Sequence, residues 1–264
     1  LSSRRQRQMC IRDSIKTVKD SRSLTLIFPL PATQKYYRSR PLNMLGFLVG
    51  HEGKGSLLSL LKEEGLASGL SAGGGDSTSS YTSFNINIQL TPKGLKRYTK
   101  VIERTFQYLR LLREKSLPRY VYEEVRRMAE IDYRFAEKTG GTRLVNMFSL
   151  LMQIYPLRSV ESTPFLISEY RPRLFDSMLF RLIPENMLAL LAAKNLETDQ
   201  TEKYYGTEYA YLESRADLIK KWKKVKSHPK LSMPEANPFL PESLEVLPFS
   251  GTLSLSYQSL AGLK

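Results

Sequence analysis

The chain has 264 residues, enough for one large domain or two small ones, and 41% hydrophobic and 10% aromatic residues exclude global disorder. No run is long enough to span a membrane, and none has the layout of a signal peptide. Cys10 is the only cysteine, which excludes an internal disulfide and favours a reducing compartment such as the cytoplasm. The net charge of +14 is spread along the chain without a long basic block.

Residues 1–14 have neither an apolar period nor turn residues, and they resemble translated sequencing-adapter read-through. We therefore expect this segment to be non-native and to take no part in the fold. The chain also begins with Leu1 rather than Met, and we expect it to be a fragment of a longer protein.

The first part of the chain predicts strands separated by two short helices. Residues 81–90 give the clearest pattern, because apolar side chains alternate with Asn85, Asn87 and Gln89, as in a half-buried antiparallel strand. The elements predicted here are a strand at 23–30, helices at 42–50 and 57–64, a strand at 66–72, a hairpin loop at 73–76 and the strand at 81–90.

The second part of the chain is predicted to be mainly helical. Its elements are helices at 92–115, 118–138 and 142–154, a shorter helical stretch between prolines, a buried strand at 187–193, an edge strand or turn at 204–212 and an extended proline-rich strap at 226–248. This order predicts the α+β class, with an antiparallel or mixed sheet that carries several helices on one face.

His51 and Glu52 lie between glycines, where one predicted helix ends and Ser56 caps the next. A zinc peptidase site needs two histidines one helical turn apart, but the second histidine of this chain is His228, in the strap. We therefore predict no metal ligands in this chain. A phosphate loop is not favoured either, because Lys54 precedes the last glycine, although weak anion binding at the helix start stays open.

Three other patterns have structural interpretations. The carboxylates between residues 118 and 138 alternate with arginines and predict a solvated face of ion pairs. Trp222 lies among four lysines, and we interpret this patch as a solvated helix end whose Trp packs inward, so nucleic-acid binding is not favoured. Residues 68–75 are small, which suits either a flexible hairpin loop or an edge to which a peptide strand adds.

The stretch GHEGKGSLLSLLKEEGLASGLSAGG, residues 50–74, closely resembles the second domain of the insulysin, nardilysin and pitrilysin zinc peptidases, the M16 class. The resemblance covers about residues 15–248. Further motifs follow in the family's order: FPLP at 28–31, YY at 36–37, LTPKGL at 90–95, FQYL at 106–109, YPL at 155–157, PEN at 184–186 and YYGTEY at 204–209.

The resemblance implies a fragment of a four-domain zinc metalloendopeptidase whose two halves close around a peptide chamber. Zinc would belong to the parent's first domain, and this chain would not ligate it. Residues 15–225 would form the second, non-catalytic domain, and residues 226–264 a linker toward a third. The implied partners are peptide substrates and other domains of the same polypeptide, with a homo-oligomer left open, no membrane and no nucleic acid.

The resemblance also implies an exosite that anchors the substrate's N-terminal segment by strand addition, away from the zinc. The corresponding residues are His51, Gly53, Gly55, Leu70, Ser71, Ala72 and Gly73. Lys54 stands where relatives often have proline, and this change adds charge near the expected position of a substrate amine. Two alternatives stay open: a non-catalytic peptide-binding scaffold of the same family, and an anion- or nucleic-acid-binding module.

Overall fold

The computed structural model describes residues 12–18, 20–137, 140–212, 216–241 and 243–245. Its sheet has seven strands in the order β3-β4-β2-β5-β1-β7-β6. The strands are β1 (Arg12–Lys16), β2 (Ser23–Pro31), β3 (Ala67–Ser77), β4 (Tyr81–Leu90), β5 (Leu188–Ala193), β6 (Gln200–Thr201) and β7 (Glu208–Leu212). Strands β1 and β5 run parallel and the other neighbours antiparallel, so the sheet is mixed.

Helices follow the strands in long runs rather than alternating with them. They are α1 (Pro41–Val49), α2 (Leu57–Glu63), α3 (Pro92–Lys96), α4 (Tyr98–Lys115), α5 (Arg119–Arg134), α6 (Gly141–Leu151), α7 (Pro172–Leu179) and α8 (Ala216–Lys223). The predicted α+β class is confirmed. Over the described residues, no helix combines the length and the apolar character that crossing a bilayer requires.

The core lies between the helices and one face of the sheet. Every second residue of β2, from Leu24 to Leu30, is buried, and the intervening residues are only partly covered. The ring of Phe28 packs edge-on against Phe106 of α4, with the ring centroids 6.3 Å apart. Trp222 of α8 stacks on Phe106, with the ring centroids 6.2 Å apart. Trp222 is therefore part of the core, as the sequence indicated.

Residues 12–14 depart from the expectation that the first 14 residues take no part in the fold. They belong to β1, which lies between β5 and β7, with Arg12 opposite both Ala189 and Leu212. Ser14 is buried. Backbone pairing with β5 on one side and β7 on the other places this strand in the sheet, although its own sequence has no apolar period. Residues 1–11 lie outside the described part of the chain.

The hairpin loop predicted at 73–76 is wrong, because β3 continues to Ser77. Its pairing with β4 shifts register between Gly74 and Ser77, which marks a bulge. A Cβ on Gly75 would lie 2.5 Å from the Ser83 hydroxyl and 2.3 Å from Asn85 Nδ2, so the side chains of β4 fill its place. Gly75 is therefore explained by close cross-strand packing and not by a turn.

The helix predicted at 92–115 is divided into α3 and α4 at Arg97, whose φ of −118° and ψ of 30° are not helical. Thr91 caps α3 by accepting a hydrogen bond from the Gly94 amide at 2.9 Å. A Cβ on Gly94 would lie 1.8 Å from the Leu66 carbonyl oxygen. Helix α3 thus packs directly on the backbone of Leu66, just before β3, and the helical path is interrupted at Arg97.

Candidate functional site

The segment 50–56, here called the glycine corner, connects α1 to α2. The Gly50 amide donates to the Gly46 carbonyl at 2.8 Å and closes α1. The Ser56 hydroxyl accepts from the Ser59 amide at 3.1 Å, which confirms the predicted cap of α2. Tyr108 donates its hydroxyl to the Leu48 carbonyl at 3.0 Å, so α4 fixes the end of α1 that leads into the corner.

Strand β3 forms one edge of the sheet, and among the described strands it pairs only with β4. Its side chains alternate between the two faces. Leu70 is buried in the core and Ala72 packs against α1, whereas Ser71 is exposed. A Cβ on Gly73 would meet nothing within 4 Å. The strand therefore has β4 on one side and a small, open segment at Ser71 and Gly73.

The corner and the edge strand, predicted to form one site, lie against each other. A Cβ on Gly46 would stand 3.0 Å from the Ala72 carbonyl oxygen, and one on Gly50 would stand 3.5 Å from the Ala72 amide nitrogen. The absence of side chains at the end of α1 lets the helix approach the backbone of β3. The structure thus brings Ala72 to the start of the corner.

Gly53 and Gly55 accommodate neighbours within the chain. A Cβ on Gly53 would lie 2.6 Å from Nε2 of His51, whose ring also packs at 6.1 Å from Phe47. Gly55 has a φ of +78°, and its Cβ would lie 2.0 Å from the hydroxyl of Ser232. Both site glycines within the corner have packing reasons for their identity, and Gly55 is covered by the chain itself.

The proline-rich strap packs on the glycine corner through residues in its stretch 226–241. The Ser232 amide donates to the Gly55 carbonyl at 3.0 Å, and Lys230 pairs with Glu63 of α2. Tyr120 of α5 donates its hydroxyl to the Pro234 carbonyl at 2.6 Å. Sequence reasoning missed this docking. The available signal was two apolar residues, Leu231 and Met233, spaced two apart in the strap; in the structure Leu231 is buried and Met233 is partly buried.

A groove of about 430 Å³ lies between the corner, α5 and the strap. Phe47, His51 and Lys54 contribute from α1 and the corner, and Met128 contributes from α5. The strap contributes residues 235–239, with the Asn237 amide donating to the Glu124 carboxylate at 3.2 Å. The groove opens directly beside the predicted site.

The titratable groups around the corner form no metal site. Among the described residues, no group of three or more His, Cys, Asp or Glu side chains is placed to hold a metal ion. His228 Nδ1 accepts from the Lys230 amide at 3.3 Å, and burial, reinforced by the charge of Arg104, lowers the pKa of His228. His51 lies instead against Phe47.

Charged side chains elsewhere pair with one another. Along α5, Glu123 bonds Arg126 at 2.9 Å, and this bond lowers the pKa of Glu123, as expected for a solvated face of ion pairs. In the lysine patch of α8, Lys221 bonds Glu103 and Lys223 bonds Glu185, each at 2.6 Å. These contacts agree with a structural interpretation of both patterns.

Two family models match this chain in succession. The model described as "Peptidase M16 inactive domain" matches residues 5–128, and the one described as "Middle or third domain of peptidase M16" matches residues 133–256. The chain belongs to the M16 peptidase family. The two matches meet within α5, yet β5 from the second match pairs with β2 from the first, so one sheet joins them.

Curated M16 relatives are similar over most of this chain. It is 36% identical to the insulin-degrading enzyme of Homo sapiens over 236 residues, which cover 89% of this chain and 23% of that protein. It is 31% identical to nardilysin of Homo sapiens over 230 residues, covering 84% and 20%. The chain therefore spans about a quarter of the length of these relatives.

Solved structures of M16 proteins share the fold. The crystal structure of pitrilysin matches with a TM-score of 0.82 at 23% identity, over 88% of this chain and 25% of that one. The inactive peptidase domain of a putative zinc protease from Bordetella parapertussis matches with a TM-score of 0.52 at 14% identity, over 72% and 98%. Both matches support the α+β architecture.

Proposed function

We propose that this chain is the substrate-holding part of a zinc metalloendopeptidase and forms a wall of its peptide chamber. Its similarity to insulin-degrading enzyme and nardilysin supports a peptidase parent, and the inactive-domain match supports a non-catalytic role for residues 5–128. Its own residues do not fit zinc, because His51 packs on Phe47 while Nδ1 of His228 accepts a backbone hydrogen bond. Peptide hydrolysis is therefore assigned to the zinc-bearing part of the parent.

The open edge strand is the observation that carries the substrate-holding role. Strand β3 has one strand neighbour among the described strands, and its segment 70–73 has small side chains except for buried Leu70. An extended peptide adding to such an edge gains backbone hydrogen bonds without needing a particular sequence. Holding a remote part of the peptide raises the effective concentration of its scissile bond at the metal.

Zinc analysis tests the division of labour. The chain, purified and dialysed against a weak chelator, is expected to contain far less than one zinc per molecule by elemental analysis. Stoichiometric zinc that survives dialysis would overturn the non-catalytic assignment.

Peptide binding to the chain tests the edge strand. In Gly73→Val, the new side chain has room in the folded chain but narrows the approach of an added strand. We expect at least fivefold weaker binding of a fluorescein-labelled, unstructured peptide, measured by anisotropy. Gly140→Val is the matched control, because a Cβ there also meets nothing within 4 Å. Equal loss in both variants, or no loss in either, contradicts the assignment.

A scaffold member of the family that binds peptides without cleaving them would pass both tests. Hydrolysis of an internally quenched peptide by the parent protein separates the two functions. Chelator-sensitive cleavage supports the peptidase, and its absence supports the scaffold.

A further inference from the structure

The groove between the glycine corner, α5 and the strap is preformed. Three hydrogen bonds fix the strap before and within the groove: Ser232 to Gly55 at 3.0 Å, Tyr120 to Pro234 at 2.6 Å and Asn237 to Glu124 at 3.2 Å. A ligand entering the groove therefore does not have to order the strap, and the entropic cost of binding is smaller than for a mobile segment.

The lining of the groove is chemically mixed, with a large apolar share. Phe47, Met128 and Phe239 offer aromatic and thioether surface, and Phe239 is 89% exposed although the strap that carries it is held in place. Lys54 and Glu235 bring opposite charges, and Glu124 already accepts a backbone hydrogen bond. This composition suits a large apolar side chain better than an isolated ion.

The position of the groove links it to the edge strand. His51 and Gly53 line it, and they follow Gly50, which touches the backbone of Ala72 in β3. An extended chain advances about 3.3 Å per residue, so a peptide along β3 brings a side chain to the groove within a few residues of Ala72.

We infer that this groove receives an aromatic or large aliphatic side chain of the peptide held by β3, and that Phe239 and Met128 set this preference. The inference rests on the proposed function, since the occupant is the same peptide. The groove volume of about 430 Å³ exceeds that of any single side chain, and the exposed ring of Phe239 lines the groove on the strap side. In this arrangement, β3 binds the peptide backbone without regard to sequence, and the groove selects peptides by one of their side chains.

A peptide series tests the selection. The probes are fluorescein-labelled nine-residue Ser/Thr peptides, each with one Phe at a different position, and the parent peptide without Phe. Binding to the chain is measured by anisotropy. At one or two Phe positions we expect about tenfold tighter binding than for the parent peptide, which corresponds to burial of part of an aromatic ring.

Variants of the lining assign the effect to the groove. Phe239→Ala and Met128→Ala are each expected to bring the affinity for the Phe-containing peptide to within about twofold of that for the parent peptide measured in the same variant. Both side chains are exposed enough to be replaced without unfolding the chain, since Met128 is 38% exposed. Phe180→Ala is the matched control, because Phe180 is a 59% exposed aromatic at the end of α7 and does not line the groove.

The outcomes separate this inference from the proposed function. Equal binding of all peptides, or a Phe advantage that survives in both lining variants, overturns the groove assignment even when Gly73→Val still weakens every peptide. If Gly73→Val leaves all affinities unchanged, the edge-strand function fails and the inference fails with it. A Phe advantage that Phe180→Ala also removes points to a different surface and overturns the assignment as well.

Discussion

The glycine corner and the segment 70–73 of edge strand β3 both contain small residues, yet their glycines are explained by different surroundings. In the corner, Gly53 makes room for the ring of His51 and Gly55 makes room for Ser232. In the strand, by contrast, a Cβ on Gly73 would have no neighbouring atom within 4 Å. A glycine that fits its own chain is explained by packing, whereas one beside open space leaves room for a partner from outside.

Gly55→Ala is expected to have the largest effect on stability. Alanine would have to adopt a left-handed φ of +78°. Its Cβ would overlap the Ser232 hydroxyl and lie 3.2 Å from the Ser232 backbone nitrogen, so the Ser232 side chain must rotate and the strap must shift slightly. Together, backbone strain and steric overlap are expected to lower the free energy of unfolding by about 3 kcal/mol, measured by urea denaturation.

The double variant Gly55→Ala with Ser232→Gly identifies the source of that loss. Removing the hydroxymethyl group relieves the overlap but not the left-handed backbone, so about 1–2 kcal/mol of the loss should remain. If Gly55→Ala is as stable as the wild type, the strap does not cover the corner, and the contrast with β3 disappears.

Tyr108→Phe tests how much the hydrogen bond from α4 to the end of α1 contributes to stability. The Tyr108 hydroxyl is buried and donates to the Leu48 carbonyl in the last turn of α1, where carbonyls lack intrahelical donors. Losing this bond should cost about 1 kcal/mol in chemical denaturation. Tyr133→Phe, on α5, is the control, because Tyr133 is only partly buried and its ring stacks on Phe165. Equal losses would mean that the bond to α1 has no special role.

Gly73→Ala tests the other half of the comparison. The strand position is open, and alanine has less conformational freedom than glycine in the unfolded chain, so stability should rise by about 0.5 kcal/mol. A shift of the thermal midpoint to higher temperature checks this expectation. A clear loss of stability would show that Gly73, like Gly55, is required by the fold, and the argument for an external partner would lose its basis.

The strongly periodic elements were predictable from the sequence, because their side chains report their surroundings directly. Strand β4 was predicted at 81–90 and is found at Tyr81–Leu90, with Ile86 and Ile88 fully buried. The Ser56 cap was predictable for a similar local reason, since a hydroxyl before an apolar helix satisfies an otherwise unpaired amide.

The elements that escaped prediction depend on contacts between distant residues. Strand β1 has no apolar pattern of its own and is stabilised by pairing with β5 and β7, which come much later in the chain. The glycine-rich end of β3 is predicted as a loop from its sequence. In the structure it is a strand, and Gly75 is required because the side chains of Ser83 and Asn85 occupy the space beside it. The site residues were identified through family resemblance, but the docked strap, which covers Gly55 and forms one side of the groove, follows only from the three-dimensional arrangement.

The smallest expected effect concerns His228, whose Nδ1 accepts the Lys230 amide two residues later and so stabilises the turn at the start of the strap, just before Ser232 bonds to Gly55. Burial and the charge of Arg104 lower the pKa of His228, with Lys100 and Lys230 acting in the same direction and Glu64 opposing them. Since the unfolded histidine titrates near 6.5, the unfolded or undocked state binds the proton more readily. Strap docking should therefore be complete above about pH 6.5 and weaken as the pH falls toward the lowered pKa.

Hydrogen exchange of the Ser232 amide, corrected for the intrinsic pH dependence, measures this change. Protection should be lower at pH 5.5 than at pH 7.5 in the wild type, because protonated Nδ1 no longer accepts the Lys230 amide. His228→Asn keeps an acceptor without the titration, so its protection should not vary between these pH values. The same pH dependence in both proteins would assign the effect to another group and leave the attachment of the strap to its bonds with Gly55 and Tyr120.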